Sequence, residues 1–70
     1  MEGTLQRTLG NNLRAWREHH GISQEQLAHT LGYHRTYIGS VERGERNLSL
    51  KSVEKLATQL NMQPLALLSE

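Results

Sequence analysis

Seventy residues with eight Lys and Arg against seven Asp and Glu give a net charge of +1, a length for one domain spanning residues 1–70 and no second. The absence of cysteine excludes disulfide frameworks and thiolate zinc sites and suits a reducing cytoplasm. No apolar segment approaches the roughly 20 residues that cross a bilayer, and Met1–Thr4 carry no basic stretch leading into an apolar run, so a soluble chain with no membrane partner is expected.

Periodicity along the chain is helical throughout. Leu5, Leu9, Leu13 and Trp16 recur at spacings of four, four and three, which defines one face of a first helix. Gly21 ends it as a left-handed cap. Ser23 is a good N-cap for a second helix, with Gln26 in the capping-box position and Ile22 and Leu27 placed as a hydrophobic staple. That helix turns Leu27, Ala28 and Leu31 inward and stops at Gly32. A third runs from Arg35 to Arg43 with Ile38 and Val41 inward and is stopped by Gly44. After a polar loop through Glu45–Leu48, Ser49 caps a fourth helix whose buried stripe is Leu50, Val53, Leu56, Ala57 and Leu60. Asn61 suits the C-terminal cap, and Pro64 suits the first turn of a short fifth helix containing Leu65, Leu67 and Leu68. No strand-like alternation or internal repeat interrupts this pattern. The fold class is therefore all-α, a compact bundle of five helices. So small a domain cannot bury every leucine of its last turn, and Leu65, Leu67 and Leu68 are candidates for a surface that meets a second subunit.

Few residue groups suit catalysis or metals. There is no nucleophile–base constellation, paired carboxylate or phosphate-binding glycine loop, so no enzyme is expected. His29 and His34 stand five apart rather than at the i, i+4 spacing of a helical zinc pair. His19 and His20 diverge by about 100° on a helix. No metal, cofactor or small-molecule ligand is expected. The cations are distributed more tellingly than their total. Between Gly32 and Ser52 stand Arg35, Arg43, Arg46 and Lys51 against Glu42 and Glu45, and six of the eight cations in the chain are arginine, the residue suited to forked contacts with phosphate and guanine.

Residues 23–44, SQEQLAHTLGYHRTYIGSVERG, resemble the helix-turn-helix of the phage-repressor family, the Cro- and cI-like regulators. Gln24 stands one residue into the second helix, Leu27-Ala28 packs on the third, Gly32 makes the turn and Glu42-Arg43-Gly44 closes the third helix. The likeness continues over residues 9–68. Arg35-Thr36-Tyr37-Ile38 and Arg46-Asn47-Leu48-Ser49-Leu50 also resemble the controller proteins of restriction–modification systems, although phage and plasmid repressors and antitoxin-like regulators share much of this pattern.

The resemblance implies a lambda-repressor-like bundle that binds double-stranded DNA as a homodimer in the cytoplasm of a bacterial cell. The third helix would enter the major groove, with two such helices about 34 Å apart on an inverted repeat. Arg35 would donate its fork to a guanine, and Thr36 and Ser40 would meet bases along the same face. Tyr37 could stack on the DNA or cover the edge of the core. Gln24, His34, Arg43, Arg46 and Asn47 would hold phosphates, Arg46 having the minor groove as its alternative. Arg17 and Glu42 match positions that form an ion pair tying the first helix to the third. Gly39 departs from the many relatives with serine there. It would allow a close approach to DNA or simply lose a polar contact. The competing reading is a protein-docking module on the same fold, which the polar, arginine-led positions 35, 36 and 40 disfavour.

Overall fold

The computed structural model describes residues 4–70. Its helices are α1 (Thr4–His19), α2 (Gln24–Leu31), α3 (Arg35–Glu42), α4 (Leu50–Gln59) and α5 (Pro64–Leu67), with no strand among the described residues. Local chemistry sets most of the boundaries. At the start of α2 the capping box closes in both directions. The Gln26 N–H donates to Ser23 Oγ at 3.1 Å, and the Ser23 N–H donates to Gln26 Oε1 at 2.7 Å, satisfying two donors that a helix start leaves open. Gly32 ends α2 at φ 81°, a left-handed conformation that costs glycine nothing. The Tyr33 N–H then closes back on the Ala28 carbonyl at 2.8 Å. Ser49 caps α4 through the Ser52 N–H. Asn61 takes the left-handed position after α4 at φ 59°, and Pro64 opens α5.

The start of α3 is capped by a residue outside the usual set of short polar side chains. His34 is extended, and its Nδ1 accepts the Thr36 N–H at 3.1 Å. A ring nitrogen that accepts carries no proton, so the proton of the neutral imidazole is on Nε2. Removing this cap by His34→Ala is expected to cost about 1 kcal/mol of stability, while His34→Asn, whose side-chain oxygen can accept the same N–H, should retain most of it. Urea unfolding of both variants checks this, and equal losses in the two would show that the ring is not acting as a cap.

The core is built from Leu9 and Leu13 of α1, Leu27 and Ala28 of α2, Ile38 and Val41 of α3, Val53, Leu56 and Ala57 of α4, Leu60 beyond it, and Leu67 of α5. Trp16, Ile22, Leu31 and Tyr33 are half-buried around it. α3 packs between α1 and α2, and α5 bridges α1 and α4. Two polar ties fix this arrangement. Asn12 Nδ2 donates to the carbonyls of Leu67 at 2.6 Å and Ser69 at 2.8 Å, closing the end of α5 onto α1. Gln59 Nε2 donates to the Leu31 carbonyl at 3.0 Å while Gln59 Oε1 accepts the Tyr33 hydroxyl at 3.2 Å, holding the α2–α3 turn against α4.

α1 and α3 touch backbone to backbone at Gly10. A Cβ placed there would collide with the Val41 carbonyl oxygen and would come within 2.6 Å of the Glu42 carbonyl oxygen. No other residue type fits so close a crossing without moving a helix.

Three leucines depart from the sequence reading. Leu5 is 64% exposed and Leu50 79% exposed, because each lies on the first turn of its helix, ahead of the stretch that another element covers. Both border a shallow groove with Leu48, Val53 and Leu68, closed on one side by Arg46 and Asn47 rather than by an apolar lid. Leu67, expected at a subunit surface, is completely enclosed in the core. It belongs to the fold of the single chain. Leu68 is half-buried and Leu65 is 77% exposed.

Candidate nucleic-acid interface

α3 presents one side outward because Ile38 and Val41 anchor the other in the core. Its first turn exposes Arg35 and Thr36, and Tyr37 and Ser40 are half-buried further along. Beside it, the first turn of α2 contributes Ser23, Gln24 and Glu25 to a cleft shared with Arg35, Thr36 and Arg43. The cleft is polar and open, lined by three arginines against Glu25, and Arg17 in its lining is one half of an ion pair with Glu42.

That pair joins α1 to α3. Arg17 Nε donates to Glu42 Oε2 at 2.6 Å and Arg17 Nη2 to Oε1 at 3.0 Å, a two-point fork. Arg17 Nη1 also holds the Ile22 carbonyl at 3.0 Å, fixing the α1–α2 turn. Gln24 Nε2 donates to Glu42 Oε1 at 3.0 Å. The amide proposed for phosphate is thus half committed to the ion pair, and it still has a second N–H. Burial pushes the Glu42 carboxyl up, but hydrogen bonds from Arg17 and Gln24 and the Arg17 charge outweigh it and hold the group below the usual glutamate range. The hydrogen bond to Glu42 outweighs desolvation at Arg17 and raises the guanidinium further.

The other side chains of this face are organised among themselves. Tyr37 packs on Tyr33 with ring centroids 4.8 Å apart, and the Arg46 guanidinium lies 5.0 Å from its centroid. Burial, then Tyr33, raises the phenol above its ordinary value against the opposing Arg46 charge, so at neutral pH it stays protonated. Ser40 Oγ donates to the Tyr37 carbonyl at 2.8 Å and accepts Arg46 Nε at 3.1 Å. Its only proton is therefore used, and in this arrangement Ser40 can meet a base only as an acceptor. Arg46 is folded back along α3. Asn47 is exposed and borders the apolar groove rather than the cleft.

Two carboxylates, Glu25 and Glu45, are paired with arginines of this face, pairings that sequence spacing does not indicate. Glu25 Oε2 is 3.6 Å from Arg35 Nη1, and Glu45 Oε2 is 3.1 Å from Arg43 Nε. The hydrogen bond and charge of Arg43 hold Glu45 low, and Glu45 raises Arg43 in turn. Both pairs are well exposed, so a phosphate or a base edge could displace either carboxylate at small cost. No periodicity links positions 25 and 35, which lie on different helices.

Among the described residues there is no group of three or more His, Asp or Glu side chains placed to hold a metal. His19 and His20 sit at the end of α1, where His20 stacks on Trp16 at 3.9 Å. No helix of the described residues is long and apolar enough to cross a membrane.

Residues 13–67 match the model of a family described as helix-turn-helix. The chain is 51% identical over 57 residues to Control protein C.SmaI of Serratia marcescens, covering 81% of this chain and 68% of that protein. It is 51% identical over 47 residues to Control protein C.BamHI of Bacillus amyloliquefaciens, covering 67% of this chain and 58% of that one. Among solved structures it resembles the restriction-modification controller protein C.AhdI from Aeromonas hydrophila. That likeness has a TM-score of 0.74 and 47% identity over 89% of this chain and 94% of the other.

Proposed function

The chain belongs to the helix-turn-helix family, and on that premise we propose that it is a sequence-specific regulator of transcription that reads double-stranded DNA through α3. The observation that carries this reading is the first turn of α3. Arg35 and Thr36 stand exposed beside the α2 N-terminus, on a helix whose opposite side is locked in the core. Arg35 would read a guanine through its O6 and N7, displacing Glu25. Gln24, Arg43 and Arg46 would meet the flanking phosphates and set the register. His34, through the proton on Nε2, can add a neutral donor beside Arg35.

One domain of this kind spans about half a turn of DNA, so the working unit we propose is a two-fold homodimer on an inverted repeat. The exposed leucines at 5, 50 and 65 supply apolar surface for it, and Leu67 has no part. Two of the relatives named above are control proteins and the third is a restriction-modification controller protein, and the same regulatory role is proposed here.

Selection from a random duplex pool tests the reading. The wild-type chain is expected to enrich an inverted repeat. Arg35→Ala should lose preference at one symmetric pair of positions by about 1–3 kcal/mol per contact. Enrichment of no sequence at moderate salt would overturn the DNA reading in favour of a protein-docking module.

A further inference from the structure

Gly39 lies at the middle of α3 and is buried, although Arg35 and Arg43, one turn to either side, are exposed. Its φ is not positive, so the backbone has no need of glycine there, and inside a helix glycine is a poorer choice than alanine. What the position gains is room. A Cβ on Gly39 would lie 3.1 Å from Arg43 Nη1 and 3.5 Å from Gln24 Oε1. The guanidinium of Arg43 and the amide of Gln24 therefore rest over bare helix backbone. Glu45 holds the same guanidinium from its other edge through Arg43 Nε.

We propose that Gly39 is a positioning residue for DNA binding. By lacking a side chain it lets Arg43 lie back along α3 beside Gln24, so that the guanidinium is held at the mouth of the cleft where it can donate to a phosphate. This rests on the DNA-binding reading above. It also separates the two roles open to Gly39 on sequence grounds. The glycine acts on an arginine of its own helix, and the DNA backbone does not need to touch it. Any side chain there, beginning with its Cβ, would push the guanidinium out by a few tenths of an ångström.

The test is a double-mutant cycle on a duplex recovered by the selection, with binding measured against salt concentration and thermal melting measured alongside. Gly39→Ala should melt no lower than wild type, since it improves the helix and meets only the flexible ends of two side chains. It should nevertheless bind about three- to tenfold more weakly, as a charge-assisted contact is loosened. Arg43→Ala should weaken binding and lower the salt slope by about one. In the Arg43→Ala background, Gly39→Ala should change affinity by less than about twofold. Unchanged binding by Gly39→Ala, or an equal loss with and without Arg43, would overturn the proposal while leaving the DNA reading intact. Failure of the wild-type chain to bind any duplex in a salt-dependent way would overturn both.

Discussion

Gly10→Ala is expected to leave the domain largely unfolded. Two effects of opposite sign compete at this position. Alanine is better than glycine inside a helix by about 1 kcal/mol, which favours the variant. Against that, the added methyl meets the carbonyl oxygens of Val41 and Glu42, which are backbone atoms that cannot rotate away. α1 and α3 would have to separate, loosening the core residues the two helices share and lengthening the Arg17–Glu42 pair. Overpacking a tight site costs about 1–3 kcal/mol, and more where nothing can yield. A core this small rarely supplies more than about 3–5 kcal/mol in total. The clash therefore outweighs the propensity gain. Circular dichroism during heating measures it, and a melting temperature at or above that of wild type would show that the crossing can relax.

The second large effect is expected at the ion pair. The Glu42 side chain is 4% exposed and that of Arg17 is 14% exposed, so removing either strands a charge away from water. The expected loss is about 3–5 kcal/mol for a broken buried pair. Arg17→Ala should be the worse of the two, because the more deeply buried carboxylate is then left with Gln24 alone. The double variant should lose less than the sum of the singles. The same pair sets an acid limb. Glu42 is held below its unfolded value of about 4.3, so its contribution is fully present above that pH. As pH falls through the lowered folded value the carboxylate is protonated and the contribution disappears. Urea unfolding near neutrality and in acid should show a steep loss in wild type and a shallower one in Glu42→Gln. Stability of both alanine variants close to wild type would refute the structural role of the pair.

Much of the fold was legible because it is written locally. Ser23 with Gln26, Gly32, Ser49 and Pro64 act on residues within about one helical turn, and a local signal survives without knowledge of tertiary structure. The errors have two causes. Periodicity tells which side of a helix a residue faces but not how far along the helix its neighbour reaches, which is why Leu5 and Leu50 were expected inside. In and just after α5 three leucines fall within four residues, and a single turn gives spacing no means to choose Leu67 over Leu65 for the core. At the candidate site, the outward placement of Arg35 and Thr36 on the third helix was legible through resemblance. Among its internal partners the Arg17–Glu42 pair was legible in the same way, and the others were not. The pairs Glu25–Arg35 and Gln24–Glu42 join residues on different helices, and the cap at His34 uses a ring nitrogen that a scan for Ser, Thr, Asp and Asn passes over.

The enclosure of Leu67 and the reach of Asn12 to residues 67 and 69 bear on when folding can happen during synthesis. Those two hydrogen bonds join positions 55 and 57 apart. A nascent chain that has emerged only through α4 has its capping motifs in place but lacks the residue that plugs the centre of its core. With elongation at roughly 5–20 residues per second, the chain emerged through α4 waits on the order of a second before Leu67 arrives. Neither Leu67 nor Asn12 would touch DNA in the binding reading, yet they would set how soon a newly made copy becomes competent to act.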